Sequence, residues 1–178
     1  GSYVKYEIKP GTVVPHVETD PYIPLNVYFG DADYDVDRMG FYGPGGELLE
    51  VAVSLHSREV KELNLVHCEG IELQEGVLEV PDARDGIVYM ETSDHNDVPI
   101  FDFTVYSDRI RVRLESSLSG EYARMGNVVF GFSRKTRSLS EVFVDGLRPE
   151  KVSEITDVVQ YALSQKDVIL TFDDFPGE

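Results

Sequence analysis

The sequence predicts a mostly β domain of the α+β class, with an antiparallel sheet of about nine or ten strands. The sheet is expected to form a sandwich or a partly open barrel, with one C-terminal amphipathic helix packed on it. Two observations support this fold class. Short segments along most of the chain alternate apolar and polar residues with period two, as half-buried strands do. Near the C-terminus the apolar spacing changes to the period of a helix.

The most regular segment is a pair of alternating stretches, residues 100–106 and 109–114, on either side of Ser107-Asp108. A two-residue turn at this dipeptide gives a register that satisfies both faces of a hairpin. Apolar residues then oppose each other on one face, and polar residues oppose arginines on the other: Phe101 with Leu114, Phe103 with Val112, Val105 with Ile110, Asp102 with Arg113, Thr104 with Arg111, and Tyr106 with Arg109. Agreement on both faces predicts this pairing.

A second hairpin is predicted within residues 49–68, where both halves carry apolar residues at every second position. A three-residue loop at 57–59 would set Val53 opposite Leu63. Further strands are predicted from the same alternation and from the turn residues between the segments: 3–9, 25–29, 77–80, 87–91, 127–133 and 141–144.

The helix is predicted to begin near Pro149, because proline suits the first turn of a helix. Apolar residues at helical spacing then form one stripe: Val152, Ile155, Val159, Ala162 and Leu163. The tail at 168–172 is expected to add a last strand. With no evident internal repeat and no linker, residues 1–178 are expected to form a single domain, with Gly1-Ser2 as a cloning scar.

The net charge of −17 is the strongest compositional signal, and it is unevenly distributed. Residues 47–107 carry a net charge of −11, whereas residues 108–148 carry +3. Such acidity opposes binding to nucleic acid or to an anionic membrane, and it favours a basic protein partner. Acidity that only keeps the protein soluble is the alternative.

We therefore expect a non-enzymatic acidic binding protein, most concretely an inhibitor or immunity protein that neutralises a basic partner such as a toxin. The contacts to that partner are expected from the acidic part of the chain: Glu69, Glu72, Glu75, Glu79, Asp82 and Asp85. No small-molecule cofactor is expected, and the sequence does not indicate an oligomeric state.

Three arginines alternate along one predicted strand: Arg109, Arg111 and Arg113. Because the guanidinium fork suits carboxylate and phosphate, they form a candidate anion-binding site. The alternative is internal neutralisation, in which these arginines pair with acidic neighbours such as Asp102 across the sheet.

A calcium site is the candidate for the acidic run near residue 35, since calcium takes several carboxylate oxygens from alternate loop positions. The candidate ligands are Asp31, Asp33, Asp35 and Asp37. The run departs from the helix-loop-helix calcium pattern, which requires Gly at Val36 and Glu at Tyr42. The alternative is an exposed acidic loop or the solvated face of an extended segment.

Motifs for catalysis are weak. The four histidines and Cys68 lack the spacing of zinc sites, and Cys68 lies in an apolar stretch where a thiol is inert. Two other functions stay open: a ligand-binding or enzymatic β-barrel with dispersed pocket residues, and a calcium-stabilised β-module of a secreted protein. A lone cysteine favours a cytoplasmic protein, although a removed signal sequence would leave secretion open.

Overall fold

The computed structural model describes residues 6–19, 23–32, 34–43, 48–67, 74–91, 98–99, 102–114, 119–148, 150–155 and 157. They form thirteen strands and one short helix, so the predicted mostly β fold with a C-terminal helix is confirmed. The strands are β1 (Tyr6–Pro10), β2 (Pro15–Glu18), β3 (Leu25–Phe29), β4 (Val36–Tyr42), β5 (Leu48–Ser54), β6 (Val60–His67), β7 (Arg84–Met90), β8 (Val98–Pro99), β9 (Asp102–Val105), β10 (Ile110–Arg113), β11 (Glu121–Met125), β12 (Val128–Phe132) and β13 (Leu139–Val144).

The strands form two sheets that pack face to face as a sandwich. The seven-stranded sheet has the order β1-β7-β11-β12-β13-β10-β9, and the six-stranded sheet has the order β2-β3-β6-β5-β4-β8. Phe29 of β3 meets Phe130 of β12 across the interface, with 5.9 Å between ring centroids. One cluster of buried apolar side chains draws on both sheets, and the sheets do not close into a barrel.

The helix α1 comprises residues 150–155 in the described part of the chain. Val152 and Ile155 are buried and join the core cluster, as their helical spacing predicts. The rest of the predicted stripe and the tail at 168–172 lie outside the described residues. No helix in the described part of the chain is long and apolar enough to cross a membrane.

The hairpin of β9 and β10 has the predicted register. Val105 lies opposite Ile110, and Asp102 lies opposite Arg113. The hairpin closes through a hydrogen bond from the Tyr106 backbone N–H to the carbonyl oxygen of Arg109, at 2.8 Å. Alternation on both faces fixed this register because any slip by one residue would have turned the apolar row towards solvent.

The predicted register of the β5–β6 hairpin is wrong by two residues. Val51, and not Val53, lies opposite Leu63, while Val53 pairs with Val60. The loop is longer than predicted, and a β-bulge at Lys61 follows it. Because the shift at Leu63 is an even number of residues, Val51, Leu63 and Leu65 stay buried on their predicted face of the sheet.

Residues 77–80 were predicted as a strand but belong to no sheet. Four strands were not predicted: β2, β4, β8 and β11. Strands β8 and β2 are only two and four residues long. Strand β4 lies partly in the acidic run, and β11 carries the charged residues Glu121 and Arg124. Long-range pairing, rather than an apolar local pattern, makes such segments strands.

The two sheets repeat one strand order, although the sequence shows no evident internal repeat. Strands β2 to β6 form a unit ordered β2-β3-β6-β5-β4, and strands β9 to β13 repeat it as β9-β10-β13-β12-β11. All four pairings within each unit are antiparallel. A parallel strand then flanks each unit, β8 beside β4 and β7 beside β11. The sandwich is therefore two copies of one five-stranded unit.

The repeat extends to the hairpin turns at residues 54–59 and 133–138. In each turn the first serine Oγ accepts hydrogen bonds from the N–H groups two and three residues later. The fifth residue is an arginine with positive φ, Arg58 at 67° and Arg137 at 58°. A bulge follows at the same position in both hairpins. Yet only 3 of the 17 equivalent positions of 49–65 and 128–144 are identical, which is why the sequence conceals the repeat.

The β11–β12 turn supplies a test of sheet packing. Gly126 has a φ of 63°, and a Cβ there would overlap the ring of Pro15 in the opposite sheet. Gly126→Ala should therefore lose about 1–2 kcal/mol of unfolding free energy to left-handed strain. Overpacking against Pro15 should add about 1–3 kcal/mol. Urea unfolding measures the total.

Gly146→Ala is the matched control, since Gly146 has nearly the same φ of 61° with no atom within 4 Å of a Cβ. It should show the backbone strain alone. Equal losses in the two variants would contradict close packing of this turn on Pro15.

Candidate functional site

A segment at residues 74–85, the acidic strap, lies on the outer face of the seven-stranded sheet and leads into β7. Leu78 packs there on Val129 and Phe143, which point away from the main core. The Gln74 backbone N–H donates a hydrogen bond to the carbonyl oxygen of Val105 on β9, at 2.8 Å. The apolar residues that predicted a strand at 77–80 therefore anchor the strap to the sheet.

The strap exposes the part of the predicted partner-binding set that the structure describes: Glu75, Glu79, Asp82 and Asp85. None of the four makes an ion pair with a described lysine, arginine or histidine. Glu69 and Glu72 lie outside the described residues. The structure thus brings four predicted acidic residues onto one exposed segment.

Arg109, the first of the predicted anion-binding arginines, fastens the strap. Its Nη1 donates to the carbonyl oxygen of Leu78 at 2.8 Å, while Nε and Nη2 donate to the carboxylate of Asp108. The hydrogen bonds that Arg109 donates to Asp108 raise its pKa and outweigh burial, which lowers it. A cavity of about 560 Å³ lies between this guanidinium and residues 77–82.

Arg111 is held by a buried carboxylate. Its Nε and Nη2 donate to Oε2 of Glu141 at 3.1 and 3.0 Å, and only 3% of Glu141 is exposed. Ser119 and Tyr122 donate to the other oxygen, Oε1, at 2.8 and 3.2 Å. The guanidinium also lies over the ring of Phe143. Both carboxylate oxygens of Glu141 therefore accept hydrogen bonds, as a buried carboxylate requires.

Arg113 lies opposite Glu141 in the β10–β13 register and shares the face of Arg111. The three predicted arginines thus alternate along the chain, with Arg109 directly before β10 and the other two within it. Since Asp108 and Glu141 engage Arg109 and Arg111, internal neutralisation is the reading that the geometry favours for these two. The partner of Arg111 is Glu141 and not a residue of β9, because β13 lies on the other side of β10.

The predicted calcium ligands are partly engaged by basic side chains of the neighbouring turn. Asp35 Oδ2 lies 3.3 Å from His56 Nε2, and Asp37 Oδ2 lies 3.5 Å from Arg58 Nη1. Asp31 is exposed, and Asp33 lies outside the described residues. Among the residues that the structure describes, no three carboxylate, histidine or cysteine side chains are arranged to hold a metal ion.

A site that the sequence did not predict lies beside the first of the two equivalent turns. A cavity of about 520 Å³ is lined there by residues of β1, of β7 and of the first turn: Tyr6, Glu7, Lys9, Ser57, Arg58, Tyr89, Met90 and Glu91. From the second turn, the Arg137 guanidinium lies 5.3 Å from the centroid of the Tyr6 ring. Recognition of the shared pattern, serine followed four residues later by arginine, would have linked the two turns in the sequence.

Tyr6 lines this cavity and packs into the core beneath it. It is 5% exposed, it stacks on Phe132 with 3.9 Å between ring centroids, and its hydroxyl donates to Glu121 Oε2 at 2.6 Å. Burial, and then the hydrogen bond to Glu121, raise the pKa of Tyr6 to about 12. Tyr6 therefore stays a neutral hydrogen-bond donor at physiological pH.

Comparison with known proteins assigns the chain to no group. No model of a known protein family matches it, and a search of curated proteins found no similar sequence.

The Arg111–Glu141 pair supplies a stability test. Arg111→Met should lose about 3 kcal/mol of unfolding free energy, because it leaves a buried carboxylate without its cation. Urea unfolding at neutral pH measures the loss. Adding Glu141→Gln should recover more than half of it, since an amide keeps an acceptor for Ser119 and Tyr122 without the charge.

Lys151→Met is the control, because Lys151 and Glu154 form an exposed pair at 2.9 Å. Such a pair contributes about 0.5 kcal/mol or less. A similar loss in Arg111→Met and Lys151→Met would show that burial of Glu141 has no consequence for stability.

Tyr6 gives a test at alkaline pH. The unfolded chain releases the tyrosine proton near pH 10, whereas the folded chain releases it near pH 12. The unfolded state thus binds fewer protons between these values, and stability falls as pH rises through this window. Tyr6→Phe should remove that part of the fall, which is about 2–3 kcal/mol. Parallel stability curves for wild type and Tyr6→Phe from pH 9 to 12 would contradict this.

Proposed function

We propose that this protein is a non-enzymatic binding protein that recognises a basic protein partner through the acidic strap. The observation that carries the proposal is the exposure of Glu75, Glu79, Asp82 and Asp85 without any ion pair to a described cation. These four carboxylates outnumber the exposed Arg84 of the same segment, and the field of this net negative charge attracts and orients a cationic partner.

The internal pairing of the arginines beneath the strap supports the proposal. Arg109 is engaged by Asp108, Arg111 by Glu141, and Arg124 by Asp145. These cations therefore compensate carboxylates of the sheet and leave the strap acidic. The strap keeps a net negative charge, with four carboxylates against Arg84, and this charge favours cationic partners over anionic ones.

Rigid anchoring of the strap is a second support. Leu78 is buried, its carbonyl oxygen accepts from Arg109, and Gln74 bonds to β9. A binding segment that is already ordered loses less conformational entropy on association than a mobile one. Exposed Val77 adds an apolar contact among the carboxylates.

In its most concrete form, the partner is a cationic toxin, and this chain is the inhibitor or immunity protein that covers its basic surface. A partner of that kind needs fast capture at low abundance, and charge complementarity chiefly raises the association rate. The proposal therefore concerns the rate of encounter more than the strength of the final complex.

The test uses immobilised protein to capture partners from a lysate of the source organism at low salt, followed by identification and purification of what is retained. Association rates are then measured with wild type and with Glu75→Lys/Glu79→Lys/Asp82→Lys. The triple variant should associate about tenfold or more slowly at low salt. The difference should shrink as salt is raised, because screening removes the steering.

The control is Glu18→Lys/Glu154→Lys/Asp157→Lys, which changes the net charge by the same amount at exposed positions off the strap. It should slow association much less. Equal rates for the two triple variants would mean that overall charge, and not the strap, guides binding. If the partner is retained equally at low and high salt, the electrostatic basis of the proposal is removed.

A further inference from the structure

We infer that the basic partner adds an extended segment of its own chain as a β-strand along residues 77–80 of the acidic strap. This mode of binding rests on the proposed function, because the strap must first be the surface that recognises a cationic chain. Three features of the strap carry it: its alternating burial, its unpaired backbone and the charge of its exposed side chains.

Residues 77–80 have the burial pattern of an extended chain that lies on a surface. Val77 and Glu79 are exposed, Leu78 is buried, and Val80 packs beside Leu78 on the outer face of the seven-stranded sheet. Successive side chains of an extended chain point to opposite sides, as these four do. The segment therefore has the form of a strand, although it belongs to neither sheet.

The backbone of this segment is almost without hydrogen bonds. Among the residues that the structure describes, its one partner is Arg109, whose Nη1 donates to the carbonyl oxygen of Leu78 at 2.8 Å. The N–H groups of residues 77–80 donate to no described residue. A row of unpaired N–H and C=O groups is a template for pairing with another chain. Main-chain hydrogen bonds of this kind supply the affinity when a peptide adds to a strand.

The two edges of the segment differ. Along an extended chain, the N–H and C=O groups of successive residues point to opposite edges. The carbonyl oxygen of Leu78 points to the edge that Arg109 occupies. The opposite edge, called here the pairing edge, carries the N–H and C=O groups of Val77 and Glu79. It ends at Pro81, which has no N–H to donate.

The exposed side chains of the strap determine which segment fits. Glu75, Glu79 and Asp82 are exposed, and Arg84 is the one cation among residues 74–85. Opposite charges on facing strand positions stabilise a pair of strands, and like charges destabilise it. Val77, which is 86% exposed, offers an apolar contact. The segment that fits is therefore basic and partly apolar, with a lysine or arginine opposite Glu79.

The experiment titrates the whole ¹⁵N-labelled protein at low salt with the blocked peptide acetyl-KVKVKVK-amide. It follows the exchange of backbone N–H groups with solvent. At saturation, exchange at Val77 and Glu79 should slow by about tenfold or more, while exchange at Leu78 and Val80 changes much less. This alternation is expected because only the pairing edge is covered. Unchanged exchange at Val77 and Glu79 in the bound state would overturn strand addition.

The control is the same peptide methylated at every backbone nitrogen, which keeps the charge and loses the donors that a strand needs. It should bind about tenfold or more weakly. If both peptides bind equally and salt abolishes the binding, the strap remains an acidic binding surface and strand addition is overturned. Failure of both peptides to bind at low salt would overturn the proposed function together with strand addition.

Glu79→Pro removes one N–H from the pairing edge, and the φ of proline suits an extended segment. Glu79→Gln is the matched variant, because it removes the same carboxylate and keeps the N–H. The unmethylated peptide should bind Glu79→Pro about tenfold more weakly than Glu79→Gln. Equal affinities would contradict the pairing edge. If Glu79→Pro does not fold, the exchange pattern of the wild-type protein decides.

Discussion

Burial of two apolar sheet faces against each other is the constraint on which this structure depends. Each five-stranded unit carries one face of apolar side chains, and an isolated sheet would leave that face in water. The second unit covers it, with contacts such as Phe29 on Phe130. The same pairing sets β7 between the units, where it bonds to β1, to β11 and to the turn at Glu59. The first turn thereby comes to border a cavity together with β1 and β7.

Burial of apolar side chains also explains the cover on the outer face of the seven-stranded sheet. Val129 and Phe143 are apolar on a face that the other sheet cannot reach, and the strap covers them through Leu78. Glu141 is buried in the same sheet and is satisfied by Arg111, Ser119 and Tyr122. Arg109, Arg111 and Arg124 therefore compensate carboxylates of the sheet, while the acidic residues of the strap face solvent.

Local pattern predicted the elements whose alternation was strong. The β9–β10 register followed from two faces that agreed, and the helical stripe correctly placed Val152 and Ile155 in the core. Prediction failed where structure depends on distant partners. Residues 77–80 have the composition of a strand, yet they anchor a strap because no neighbouring strand pairs with them. Strand β11 has a weak pattern, yet β12 and β7 both pair with it.

For the candidate sites, the sequence by itself determined the residue types and their charge: an acidic stretch, an arginine strand and an aspartate run. Only the tertiary structure decided their use. It paired Arg111 with Glu141, which is 30 residues away, and it gave Asp35 and Asp37 basic neighbours 21 residues away. It also placed the Arg137 guanidinium over the ring of Tyr6, which lines a cavity with Arg58. Periodicity reports which face of an element is buried, but only the packing of the two units decides which surfaces meet.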